Sequence, residues 1–530
     1  SLCGDAACPP SQRIGSARPR KAAFTRQRLG CLTCRRRKKK CDMTYPVCGH
    51  CTRLNLVCNR EVPREVPSSS TTDPSLLIQA TPTPGLPGLS SAADFESASL
   101  ISPSTTSASI HLANVLSHAK IWQTLDLSVI LGQNGSELAA SRRAMLRYYI
   151  QIFAFMLTTN VENNCFLTVL LPMAFESPAL MKALAAWSSS HLSLRDQAFT
   201  DVALQHRGSA LRNFKSAMED GDLSTEMALA ATLIFCSLDV ISDGTGSWYH
   251  HLRGGAALLI SNQGDTSTAS SLLPSLKTIE QLRSYEGKWL MKNFAYHDIL
   301  ASITMNTRPL LHGDYWLSSG QDSAADPYFG LAERILFLIA ETSHLNAEMA
   351  EAKQLKASPE ASANTVASFS ARARVIEDEL REWKCPSSGF SPPLVSLAQT
   401  YRCAARIHLY RTIRAHVPGA TEHVRAKIES QVKSIVEAVG NIPEGCLPEC
   451  TLLFPVFMAG GEAEDSSDIW VIRSKLESMN RWRCFRNVEA ALDVLDELWR
   501  LNATRAGGES GDRVDWLDVV KRRGWKLAIS

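Results

Sequence analysis

The chain has 530 residues, 45% of them hydrophobic, and a formal net charge of +3. That length is a soft prior for about two to four domains, and the apolar content excludes a wholly disordered chain. A charge this close to neutral seems to argue against a nucleic-acid binder, which ordinarily carries a basic footprint.

The chain opens at Ser1 rather than Met, which leaves room for residues ahead of it, and no apolar segment of a secretory signal precedes the first basic stretch. Residues 1–25 read as a flexible basic arm. From Arg13 to Arg60 there are fourteen Lys and Arg against one acid, Asp42, so this segment carries +13 and the rest of the chain −10. The near-neutral total therefore conceals two parts of opposite sign. A basic block of this density points to nucleic acid or a nuclear import signal.

Six of the 15 cysteines fall within residues 26–62, spaced Cys31-x2-Cys34-x6-Cys41-x6-Cys48-x2-Cys51-x6-Cys58. An odd total in a chain this long fits a disulfide framework poorly. Thiolates are soft ligands suited to tetrahedral zinc. The unit C-x2-C-x6-C occurs twice, and each copy is one sulfur short of a site. Six sulfurs still give two ions four ligands each if two of them bridge, which points to a binuclear cluster. His50, inside the second C-x2-C, is poorly placed to complete a mononuclear site. A module of about 28 residues buries too little to fold alone, so the metal should make the fold.

The run Cys34–Asp42 reads C-R-R-R-K-K-K-C-D, followed by Pro46 and the second C-x2-C. It resembles the fungal binuclear zinc cluster of transcription factors, matching that pattern at all six cysteines and at Arg35, Arg37, Lys38, Lys40, Asp42 and Pro46. The resemblance implies two zinc ions. Cys31 and Cys48 would bridge, Cys34 and Cys41 would complete one ion, and Cys51 and Cys58 the other. It also implies that Arg37 and Lys38 reach the base edges of a CGG triplet in double-stranded DNA. Guanine O6 and N7 stand together as acceptors only in the major groove. Arg35, Arg36, Lys39, Lys40 and Arg53 would meet phosphates, which position a protein without specifying sequence.

Residues 63–112 read as a disordered linker: positions 61–110 hold 7 Pro and 18 Ser plus Thr, with no heptad pattern for a coiled coil. Residues 113–530 read as one α-helical domain. Val488, Leu492, Leu495 and Trp499 share one helix face, as do Ala373, Ile376, Leu380 and Trp383. Residues 227–240 are apolar nearly all round, as in a buried helix. No uninterrupted apolar run reaches the roughly 18–20 residues of a membrane span; the best stretches, 165–175 and 229–241, are too short. Breaks fall at about 132–136, 243–247, 261–271, 318–326 and 504–511.

The seven cysteines beyond the module read as inert buried thiols, including the Cys446-x3-Cys450 pair. The acidic cluster 462–468 reads as a solvated loop. No P-loop, G-x-G-x-x-G, H-E-x-x-H or G-x-S-x-G pattern is present, which disfavours an enzyme. An RNA-associated protein is disfavoured because the module offers only Tyr45 for stacking. Two segments stand out, Trp248–Leu259 and Phe294–Ala301. Their plain reading is helix packing through Trp248, the small residues 254–257, and satisfied histidines at His251 and His297. They also resemble the second type of fungal-specific transcription factor domain, as do residues 459–463 and Val514-Asp515-Trp516. Gly255 and Gly461 stand where that family's pattern has Ala and Cys.

The expected fold class is all-α: a small zinc-nucleated cluster module, a disordered linker and a large α-helical regulatory domain. The expected function is a nuclear, sequence-specific DNA-binding regulator of RNA polymerase II transcription. It would read CGG-type sites, govern a catabolic or secondary-metabolite pathway, and engage the transcription machinery as a monomer or as a homodimer through the helical domain. No membrane is involved. The alternative is a zinc-stabilised nuclear protein whose helical domain senses a small metabolite and acts mainly as a repressor.

Overall fold

The computed structural model describes residues 34, 39, 41–42, 48–53, 135–162, 164–260, 276–317, 325–354, 359–386, 388–506 and 513–530. The chain divides into two units, Ser1–Ala98 and Ser99–Ser530. The expected arm and linker lie outside the described residues, as does the break at 261–271. Among the described residues of the first unit, Gly49–Arg53 form α1.

The second unit is helical. Its main elements are α2 (Gly135–Tyr148), α3 (Pro178–Arg195), α4 (Thr200–Glu219), α5 (Thr225–Ser242), α6 (Trp248–Ile260), α7 (Tyr285–Met305), α8 (Glu333–Gln354), α9 (Pro359–Glu382), α10 (Pro392–His416), α11 (Thr421–Val439), α12 (Leu453–Glu462), α13 (Ser466–Arg483), α14 (Arg486–Ala506) and α15 (Trp516–Arg523). Among the described residues the one β-type pairing is an isolated bridge between Asp326 and Gly330.

Local chemistry explains where several helices start. Ser177, Ser224 and Ser284 each turn a hydroxyl back to accept a backbone N–H of the first turn, and Asp465 and Asp515 do so with a carboxylate. Each satisfies one of the N–H groups that a helix start leaves unpaired. The sequence faces are the buried ones: Val488, Leu495 and Trp499 on α14, and Ala373, Ile376 and Leu380 on α9, all enter the core.

The apolar segment around residue 230 needs correcting. With its capping turn, α5 is an 18-residue helix long and apolar enough to cross a membrane. The polar or small residues at its ends hid that length. Every residue from Ala228 to Ile241 is buried against the rest of the domain, as in a core helix.

Candidate zinc centre and nucleic-acid interface

A C-x2-C pair places two thiols within one turn, and α1 supplies that turn. Cys51 N–H donates to the Cys48 carbonyl at 2.9 Å, while Lys39 N–H donates to the Cys34 carbonyl at 2.9 Å. Each half of the motif thus closes on one of its own cysteines. Cys34, Cys48 and Cys51 are buried at 2%, 0% and 1% exposure. Their sulfurs converge, 3.6 Å from Cys34 to Cys48 and 3.9 Å from Cys34 to Cys51. At a Zn–S distance of about 2.3 Å, ligands of one tetrahedral ion lie about 3.8 Å apart. The donor set therefore fits zinc, whose binding would cross-link the two halves of the module.

A second group joins the Cys41 and Cys48 sulfurs with a carboxylate oxygen of Asp42, all within 4.8 Å of one another. Cys48 is common to both groups, as a bridging ligand would be. The 3.9 Å between Cys34 and Cys51 is closer than expected for ligands assigned to different ions. Neither group includes His50. Asp42 entered the sequence reading only as a pattern residue. Its place beside Cys41 in the chain is the signal that could have flagged it.

Of the expected DNA contacts, Lys39 and Arg53 are exposed. Arg35, Arg36, Arg37, Lys38 and Lys40, with Cys31 and Cys58, lie outside the described residues.

In the helical unit, the singled-out segments pair with one another. A Cβ at Gly255 on α6 would lie 3.1 Å from the Phe294 ring on α7. A Cβ at Gly461 would lie 2.5 Å from Trp516. Both departures from the family pattern thus sit where an aromatic ring occupies the space of a side chain. Trp248 donates its indole N–H to the Lys526 carbonyl at 2.7 Å, and His297 meets the Ser530 hydroxyl at 2.8 Å. His251 lies 3.5 Å from the buried Asp239, which also holds Arg207 at 2.6 Å.

The acidic cluster is only partly the solvated loop expected. Glu462 is buried, held by Arg411 and by Arg414 at 2.8 Å, while Arg411 also grips both oxygens of Asp515 at 2.9 Å. The cations hold both the Glu462 and Asp515 carboxyls below their ordinary values despite burial. All seven cysteines here are described. Burial raises the Cys446 thiol to about 11 and that of Cys450 to about 12, so both stay protonated near neutrality.

Along the chain, a compact cysteine cluster with a donor set that fits zinc is followed by a large helical domain, the arrangement of a zinc-cluster regulator. Residues 29–65 match the fungal Zn(2)-Cys(6) binuclear cluster domain. Residues 144–530 match the fungal specific transcription factor domain, and the chain belongs to that family.

Among curated relatives, it is 25% identical over 353 residues to the transcriptional activator protein UGA3 of Saccharomyces cerevisiae, covering 60% of this chain and 64% of that one. It is 23% identical over 410 residues to the acriflavine sensitivity control protein acr-2 of Neurospora crassa, covering 71% of this chain and 65% of that one. The module alone is 63% identical over 35 residues to the TY1 enhancer activator of Saccharomyces cerevisiae, covering 7% of this chain and 4% of that one. The chain thus spans a little under two thirds of the length of the two longer-matching relatives. No solved structure matches it. Family membership places the chain among fungal transcription factors rather than enzymes, with a zinc-cluster domain matched at residues 29–65.

Proposed function

We propose that residues 26–62 form a binuclear cluster in which Cys31, Cys34, Cys41, Cys48, Cys51 and Cys58 hold two zinc ions, with Cys31 and Cys48 bridging. The observation that carries this reading is the convergence of three cysteine sulfurs from both halves of the repeat, within 4.8 Å of one another. Arg37 and Lys38 read a CGG triplet in the major groove, and Arg35, Arg36, Lys39, Lys40 and Arg53 neutralise phosphates around it. Residues 63–112 tether this reader to a regulatory domain of residues 113–530, which also mediates any pairing of two chains. The protein acts in the nucleus on RNA polymerase II genes of a metabolic pathway, through the transcription machinery.

Substitution of Lys38 separates base reading from charge. Lys38→Ala should weaken binding to a CGG duplex by about 1–3 kcal/mol and leave binding to scrambled duplex nearly unchanged. Equal losses on both duplexes, measured by fluorescence anisotropy at fixed salt, would remove the base-reading role.

A further inference from the structure

Exposed large apolar side chains are few among the described residues: Phe175, Leu204, Leu211, Met218, Tyr285, Val375 and Trp470. Scattered singly, such residues are ordinary on a protein surface. Three of them, however, lie on α4 at seven-residue intervals: Leu204 at 62%, Leu211 at 37% and Met218 at 40% exposure. Asp201, Gly208 and Lys215 are interleaved with them, so the six positions step by three and four residues and share one helix face.

The opposite face of α4 is already engaged. Val202, Ala203, His206 and Ala210 are buried, and His206 Nε2 lies 2.9 Å from the Ser141 hydroxyl. Along one flank, Arg207 meets Asp239 of α5 at 2.6 Å, and the Phe214 ring lies 5.5 Å from that of Phe235. The stripe itself faces solvent at Asp201, Leu204, Leu211, Lys215 and Met218.

Gly208 stands in the middle of the stripe. A glycine inside a helix is unfavourable relative to alanine. The fold around it does not demand one: within 4 Å, a Cβ would meet only the Arg212 guanidinium of its own helix, at 3.3 Å. What the missing side chain does permit is the close approach of another backbone.

Charge fixes the direction of that approach. Asp201 lies seven residues before Gly208 and Lys215 seven after it. Two parallel copies of the stripe would set Asp201 against Asp201 and Lys215 against Lys215. Antiparallel about a two-fold axis at Gly208, each Asp201 faces the second copy's Lys215, and each Leu204 comes within one residue of the second copy's Leu211. Within its own chain Lys215 contacts only Glu219 at 3.6 Å, an exposed and therefore weak pair. Beyond the Arg207–Asp239 pair, the solvent-facing charges of α4 balance, Asp201 and Glu219 against Arg212 and Lys215, while Asp196, Asp220 and Asp222 lie past the helix ends.

We propose that this face of α4 pairs with the same face of a second copy of the chain, antiparallel about Gly208. The proposal rests on the reading that the helical domain mediates pairing. One helix pair is small beside the roughly 800 Å² per partner of a standard interface, so the free protein associates weakly. Two chains on neighbouring sites of one duplex meet at a high effective concentration, where weak pairing suffices.

Sedimentation velocity of the full chain without DNA measures the monomer–dimer equilibrium. Leu204→Ser/Leu211→Ser should weaken association by about tenfold or more, and Val375→Ser, at an exposed position of α9, should leave it unchanged. Asp201→Lys and Lys215→Asp should each weaken it by about threefold or more, whereas Asp201→Lys/Lys215→Asp, which keeps the pair with its signs exchanged, should return to the parent value. All the substituted side chains are exposed, and the melting temperature checks that each variant stays folded. A parent that stays monomeric at its highest soluble concentration, or a double charge variant no better than the singles, would overturn the proposal. Zinc chelation should leave the dimer intact. A dimer lost on chelation would move pairing to the cysteine module and overturn the underlying reading as well. A dimer that persists both without zinc and in Leu204→Ser/Leu211→Ser would overturn the assignment to α4 alone.

Discussion

The two regions are held together by different means. Among the described residues of the cysteine module, the buried set is Cys34, Cys48 and Cys51, with Cys41 half-buried beside them. The helical domain has a continuous core in which Trp187, Trp248, Trp516 and Tyr296 are almost wholly enclosed. Apolar burial is worth roughly 25 cal/mol per Å², so a core of that extent stabilises itself. A module of about 28 residues cannot, and ligation must supply the difference. Conditions that dissolve one region should therefore leave the other standing.

Metal removal should give the largest difference. A structural zinc site contributes about 10–16 kcal/mol of apparent binding energy in small modules. A chelator should unfold residues 26–62, seen as rapid proteolysis there, while the helical circular dichroism and melting of the second unit stay unchanged.

The reverse cut is made inside the helical core. Glu449 is fully buried, 2.6 Å from Lys475 and 3.7 Å from Arg483, and Arg483 donates to the carbonyls of Met156 and Cys446. Glu449→Ala would strand two buried cations, costing about 3–5 kcal/mol in chemical denaturation. Zinc content of the module should not change. Gly461→Ala should be milder, about 1–3 kcal/mol, because the new methyl meets Trp516 and must displace it.

Acid sharpens the same contrast. Burial lowers His191 and His408 to about 3 and His206, His297, His344 and His416 to about 4. His191 shows why: its Nδ1 accepts from the Tyr148 hydroxyl at 2.8 Å and its Nε2–H donates to the Arg483 carbonyl at 2.7 Å, an arrangement that needs the neutral ring. An unfolded histidine titrates near about 6.5. Between these values the unfolded chain binds more protons, so this stability is present above about pH 6.5 and is lost as pH falls toward 4. Asp298 and Asp326, raised by burial to about 7 and about 6, act in the opposite sense, losing stability as pH rises from about 4. Six histidines against two carboxyls leave acid as the destabilising direction. Melting temperature should drop steeply from pH 6.5 to 4, with a shallower slope in His191→Gln.

Much of this was legible in the sequence because it is local. The C-x2-C-x6-C spacing is contiguous, and a single turn brings two of its sulfurs together. The faces of α9 and α14 follow from a 3.6-residue period. What was not legible depends on partners far along the chain. Gly461 departs from its family pattern for a reason visible only when Trp516 stands beside it. Glu462 looked like one acid in a solvated run until Arg411 and Arg414 enclosed it. The apolar length of α5 was missed because its polar ends belong to the helix.

The central claim is that DNA recognition resides in a zinc-dependent module whose loss leaves the helical domain intact. It is tested most directly by anisotropy of a labelled CGG duplex against the full chain, before zinc removal, after it, and after zinc is restored, with a scrambled duplex in parallel. The account predicts that preference for the CGG duplex disappears on removal and returns with zinc, while helical circular dichroism does not change. Undiminished preference for the CGG duplex in fully metal-free protein would contradict it.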